Sequence, residues 1–310
     1  MFRGTYTALV TPFRDGAIDV SAFEKLVDAQ INAGITGLVA IGTTGESPTL
    51  SHAERAEVIR LTMKFARGRC QVLAGTGSYA TSEAVAATVA AEKMGVDGAL
   101  IVAPYYNKPS QEGLFRHFQA IAQATKLPIM LYNIPGRCGV DITAPTVERL
   151  AAASGNFRAI KEASGSVARV SELRARLPDA FTILSGDDGL TLPFMAAGAV
   201  GVVSVASNLL PAEICAMVQA FRSGDVVAAQ QWHLRLAGLF NDLFLEPNPV
   251  PVKTALAWRG QMSSEVRLPL CEMTNENAAR LRATLEAFER ESGLPAPALS
   301  GSVASSAPNE

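Results

Sequence analysis

Short apolar runs recur along the chain at residues 5–10, 37–41, 71–74, 99–102, 129–132, 159–161, 182–184 and 200–203. Runs this short, bounded by polar and Gly-rich stretches, read as strands buried on both faces, where no apolar–polar alternation survives. Between them, apolar positions recur at helical spacing over 21–33, 51–67, 82–94, 111–124, 144–153 and 167–176. Ser51-His52-Ala53-Glu54 has the form of a capping box, and Thr81-Ser82-Glu83 offers a polar helix start. Gly34, Gly68 and Gly95 stand where a left-handed residue closes a helix. Strict βα alternation through eight strands predicts an α/β protein, a closed (β/α)8 TIM barrel. An open doubly wound sheet would carry a Gly-rich turn after its first strand, and here that turn reads Thr11-Pro12-Phe13.

Beyond the eighth strand the pattern is wholly helical, from about Pro211 to Glu289, apart from Glu246-Pro247-Asn248-Pro249-Val250-Pro251, where proline is too dense for a helix interior. The expected organisation is a barrel over 1–210, a C-terminal helical extension packed on it over 211–291, and a disordered tail over 292–310 rich in Ser, Ala, Pro and Gly.

Charge and composition narrow the function. Lys and Arg number 27 against 29 Asp and Glu, a balance that argues against a nucleic-acid surface. No apolar run approaches the roughly 20 residues that span a bilayer. Met1-Phe2-Arg3-Gly4 leads straight into a strand with no apolar leader, so the expected compartment is the cytoplasm. Cys70, Cys138, Cys215 and Cys271 lack paired spacing and read as reduced thiols. His52, His117 and His233 form no ligand motif, so neither metal nor cofactor is expected.

In a βα barrel the chemistry gathers at the C-terminal ends of the strands. The sixth predicted strand ends Phe157-Arg158-Ala159-Ile160-Lys161-Glu162, and alternation puts Phe157, Ala159 and Lys161 on one face. Ala159 leaves room for the Lys161 stem, and burial would favour a neutral, nucleophilic amine. A solvated lysine at a strand end is the plainer alternative. Tyr132, ending the fifth strand, can carry a proton or simply pack. Arg137, on the loop beyond, suits a carboxylate or lies on the surface. Gly42-Thr43-Thr44-Gly45 presents hydroxyls beside backbone N–H groups, with Thr43 on the parity of Val39 and Ile41. Tyr105-Tyr106 lies on the loop after the fourth strand.

These segments together resemble the dihydrodipicolinate synthase family. Gly42-Thr43-Thr44-Gly45-Glu46-Ser47, Pro104-Tyr105-Tyr106-Asn107-Lys108-Pro109, Tyr132-Asn133-Ile134-Pro135-Gly136-Arg137 and Ile160-Lys161-Glu162-Ala163 carry the likeness. Ser185-Gly186-Asp187-Asp188, Gly201-Val202-Val203-Ser204-Val205 and Glu246 through Lys253 extend it over nearly the whole chain. The resemblance implies a class I Schiff-base lyase that condenses pyruvate with L-aspartate 4-semialdehyde, in lysine and diaminopimelate biosynthesis. Lys161 would form the imine, and Tyr132 would relay protons with Thr43 and with Tyr106 from a neighbouring subunit. Thr44, Val203 and Gly186 would line the pyruvate site, with Val203 where isoleucine is usual, and Arg137 would receive the second carboxylate. It implies a homotetramer built as a dimer of dimers.

Two related readings share the lysine and the tyrosine: N-acetylneuraminate lyase and the keto-deoxy-sugar-acid aldolases. Arg137 and the Thr43-Thr44 pair favour the synthase over both. A non-catalytic keto-acid-binding relative would be expected to lack one of Lys161, Tyr132 or Thr43. Ser47, His52, Tyr79, Glu83 and Tyr105 match positions of a lysine-binding allosteric pocket, but Pro48, Arg55 and Tyr79 depart from the family pattern. Weak or absent inhibition by lysine is therefore expected.

Overall fold

A computed structural model describes residues 2–292, and the expected tail lies outside the described residues from 293 onward. Its strands are β1 (Gly4–Ala8), β2 (Phe13–Arg14), β3 (Ala17–Ile18), β4 (Gly37–Ala40), β5 (Gln71–Gly75), β6 (Gly98–Val102), β7 (Ile129–Asn133), β8 (Phe157–Glu162), β9 (Thr182–Ser185) and β10 (Gly201–Ser204). Eight of them close a parallel barrel in the order β1-β10-β9-β8-β7-β6-β5-β4. Closure leaves no open edge, because β1 pairs with both β10 and β4. The remaining two, β2 and β3, form a small antiparallel hairpin in the first βα connection.

Two apolar layers hold the barrel. Tyr6, Val39, Leu73, Leu100, Met130, Ala159, Leu184 and Val203 fill its interior. The larger layer lies between strands and helices, where Gln111–Ala124, for example, buries Leu114, Phe115, Phe118 and Ile121. Helix His52–Ala66 begins with the expected capping box, with Ser51 and Glu54 exchanging side-chain-to-backbone hydrogen bonds. Gly34, Gly68 and Gly95 all take positive φ. No helix among the described residues is long and apolar enough to cross a membrane.

Three expectations need correction. Phe157 does not share the face of Ala159 and Lys161. The β7–β8 register shifts between Ile129 and Met130, so Arg158 is an extra residue and Phe157 joins the outer layer. Ile41 leaves the strand with φ 50 and packs outside the barrel, so the parity assigned to Thr43 does not hold. The region after the eighth strand is not wholly helical. It comprises helices Pro211–Arg222, Val226–Asp242, Val250–Trp258 and Asn275–Ser292, and 259–274 is irregular where Gly260 and Pro269 break the pattern. Pro251 sits in the first turn of Val250–Trp258, where its missing N–H costs nothing.

Candidate functional site

Register places Tyr132 of β7 directly opposite Lys161 of β8, at the C-terminal mouth of the barrel. Lys161 is 4% exposed, and its Nζ lies 4.2 Å from the centre of the Tyr132 ring. Burial pushes the amine down to about 8. The Asp188 carboxylate opposes that fall, and the Arg137 guanidinium adds to it. An amine with that value is about one-tenth neutral at pH 7, roughly 200- to 300-fold more than an ordinary lysine. Burial pushes the Tyr132 phenol up to about 12, with the Arg137 guanidinium and, after it, a hydrogen bond with Thr43 acting in the other direction. The phenol therefore stays protonated, a donor beside a nucleophile.

The turn after β4 brings the paired hydroxyls to this mouth. Ile41 is left-handed, and the turn lies so close to β5 that a Cβ on Gly75 would stand 2.4 Å from the Ile41 carbonyl oxygen. Thr43–Gly45 then forms one 3-10 turn, with Thr44 buried. Asn248, far along the chain, donates through Nδ2 to Thr44 Oγ1 at 2.9 Å. Its carbonyl accepts from Arg137 Nη2 at 3.3 Å. One residue of the C-terminal region thus ties the hydroxyl turn to the guanidinium at the rim. Sequence reasoning assigned Asn248 no role, although the proline-dense segment that contains it was among those carrying the family resemblance.

Gly186, after β9, closes the other side. A Cβ there would meet Lys161 Cε at 2.9 Å and Ala163 Cβ at 2.8 Å, so the lysine stem occupies the space a side chain would take. Val203 faces the barrel interior. Asp188 is a second residue left unassigned by the sequence reading. It accepts from the Ser204 hydroxyl and from the Val205 and Ala206 amides, at 2.9 and 3.0 Å for the amides. Burial pushes its carboxyl up, against those three donors, which favour the ionised form. Lys161, Tyr132, Thr43, Thr44, Arg137, Gly186 and Val203 therefore converge, and the arrangement suits imine formation with a small keto acid.

Tyr106 does not join them. It is 90% exposed, at φ 73, on the loop after β6. Ser47, His52 and Glu83 line a separate cavity of about 470 Å³ with Arg55. Tyr79 and Tyr105 stack edge to face nearby, 5.3 Å between ring centres. Among the described residues no group of three or more His, Cys, Asp or Glu is arranged to hold a metal ion.

The profile of the dihydrodipicolinate synthetase family matches residues 1–288. A 4-hydroxy-tetrahydrodipicolinate synthase of Sorangium cellulosum is 54% identical over 92% of the chain and 96% of that protein. The solved 4-hydroxy-tetrahydrodipicolinate synthase of Methylacidiphilum fumariolicum superposes with a TM-score of 0.94 at 54% identity, covering 94% of this chain and 98% of the other. The Cyanidioschyzon merolae enzyme, solved with lysine bound, gives 0.90 at 42% identity, over 93% and 98%.

Proposed function

The chain belongs to the dihydrodipicolinate synthetase family, and from that we propose that it condenses pyruvate with L-aspartate 4-semialdehyde to 4-hydroxy-tetrahydrodipicolinate through an imine on Lys161. The observation that carries this reading is the buried, weakly basic Lys161 amine held against the Tyr132 phenol. The neutral amine attacks the ketone carbon, and Tyr132 supplies the proton with which the carbinolamine hydroxyl leaves as water. Loss of a methyl proton gives an enamine, whose carbon attacks the aldehyde. The amino group of the second substrate then adds to the imine carbon and displaces the lysine amine, closing the ring. Thr44 supports the keto-acid carboxylate, and Arg137 the carboxylate of the acceptor.

Arg137 separates this reading from aldolases that accept neutral polyols. Replacing it with Ala removes a charge-assisted pair, which predicts a KM for aspartate semialdehyde raised roughly 10- to 100-fold. The pyruvate half-reaction, followed by hydride trapping, should change little. Faster turnover with sugar aldehydes than with aspartate semialdehyde would assign the chain to the aldolases instead.

The family likeness is what supports a homotetramer, a dimer of dimers, and the exposed Tyr106 leaves a phenol free to complete a partner's proton relay. For regulation, the family position at the cavity carries Arg55, whose Nε is fixed on the Leu50 carbonyl at 3.2 Å. A permanent guanidinium there opposes the charge of a lysine ammonium. Steady-state titration with L-lysine should therefore leave most activity at sub-millimolar inhibitor. Half-inhibition in that range would overturn this point without touching the catalytic reading.

A further inference from the structure

Directly behind the reacting pair, on the outer face of the same two strands, lies a polar cluster the chemistry above does not use. Asn133 follows Tyr132, Glu162 follows Lys161, and the two are register partners. Both are fully buried. Asn133 Nδ2 donates to Glu162 at 3.1 Å and to Asp141 Oδ1 at 2.7 Å, while its Oδ1 accepts from the Ile142 amide at 3.0 Å. The Glu162 carboxylate also accepts from the Ser164 amide at 2.7 Å and from Arg169 Nε at 2.8 Å. Arg169, in the first turn of helix Val167–Arg176, also reaches Asp141 at 3.4 Å and the Ile142 carbonyl.

We infer that Asn133, Glu162 and Arg169 are positioning residues, a clamp that fixes the Tyr132 phenol against the Lys161 amine. The inference rests on the imine reading of the site. The β7–β8 ladder runs out at this level, and strand ends fray unless something holds them. Here a side-chain bond bridges the last register pair, and a guanidinium anchors it to the next helix. An uncompensated carboxylate would not persist at this depth, so Arg169 and the two amide donors are what allow Glu162 to be there. Because adjacent residues of a strand share a rigid peptide unit and point to opposite faces, fixing Asn133 and Glu162 on the outer face fixes Tyr132 and Lys161 on the inner one. The geometry matters because a displacement of about 1 Å in a reacting pair can cost on the order of 100-fold in rate.

The test uses the full chain carrying Glu162→Gln or, on the helix that anchors the network, Arg169→Met. Borohydride trapping with pyruvate gives two readouts: the fraction of chains that can be trapped, and the rate of trapping per competent chain. The clamp predicts nearly full trapping at a rate lowered roughly 10- to 100-fold, with kcat falling alongside and KM for pyruvate changing less than about threefold. A purely structural role predicts the converse, a smaller trappable fraction reacting at the parent rate, and would overturn the inference. Parent-like rate and fraction in both variants would overturn it equally. Should the parent protein itself fail to trap pyruvate, the imine reading falls, a result distinct from either variant outcome.

Discussion

A Lys161→Met variant is expected to lose on the order of 10⁴-fold or more in condensation rate while unfolding at a higher temperature than the parent at pH 7. The rate loss follows because the buried amine that forms the imine is gone. The gain in stability has a different source. The folded amine sits near 8, whereas an unfolded lysine sits at 10.5, so below pH 8 folding must bury a cation that water would solvate. That penalty is of the order of 3 kcal/mol. It is fully present below about pH 8, shrinks as pH rises, and is gone above 10.5, where both states are neutral. Methionine fills a similar volume without the charge, so its stability advantage should fade over the same window. Activity of the parent follows the same titration, with kcat/KM for pyruvate rising with pH and levelling above about 8. Melting curves of both proteins between pH 6 and 11 check the sign. An advantage for methionine that grew with pH would show that Lys161 is not buried as described.

The second large effect is expected at Lys253. Its ammonium and the Glu46 carboxylate form an ion pair at 2.7 Å with both side chains fully buried. Lys253 also donates to the Thr11 carbonyl at 2.9 Å and lies 4.3 Å from the centre of the Phe13 ring. Glu46 is the left-handed residue that ends the Thr43–Gly45 turn, and its other oxygen accepts the Arg267 amide at 3.0 Å. The C-terminal region therefore holds the hydroxyl turn from behind, through this pair as well as through Asn248. Lys253→Met should cost about 3–5 kcal/mol, because it strands a carboxylate in the interior. Combining it with Glu46→Gln should cost less than the sum of the single changes, by about 1–3 kcal/mol. Denaturation midpoints of the four proteins measure that coupling. Strict additivity would mean the two groups do not depend on each other.

The barrel was legible in the sequence because the barrel strands are buried on both faces and the helices carry one apolar stripe, so short unbroken apolar runs alternate with helical periodicity. Helices Gln111–Ala124, Ala144–Ala153 and Val167–Arg176 match their expected bounds. What escaped was whatever depends on a local departure from regular geometry. The extra residue at Arg158 reversed the side of Phe157, yet Lys161 still points inward because the shift lies before it. The left-handed Ile41 broke a parity argument that assumed an extended chain. Asn248 and Asp188 carry no local pattern at all, and their partners are set only when distant segments meet. Tyr106 shows the limit from the other side: its place in the relay came from resemblance, and its own chain leaves it exposed.

The central claim is that one buried amine bonds covalently to the keto acid. Borohydride reduction in the presence of pyruvate, followed by peptide mass mapping, tests it most directly. A single reduced adduct on the peptide bearing Lys161 is the expected result. No adduct, or one mapping to Lys253 or to a surface lysine, would contradict it.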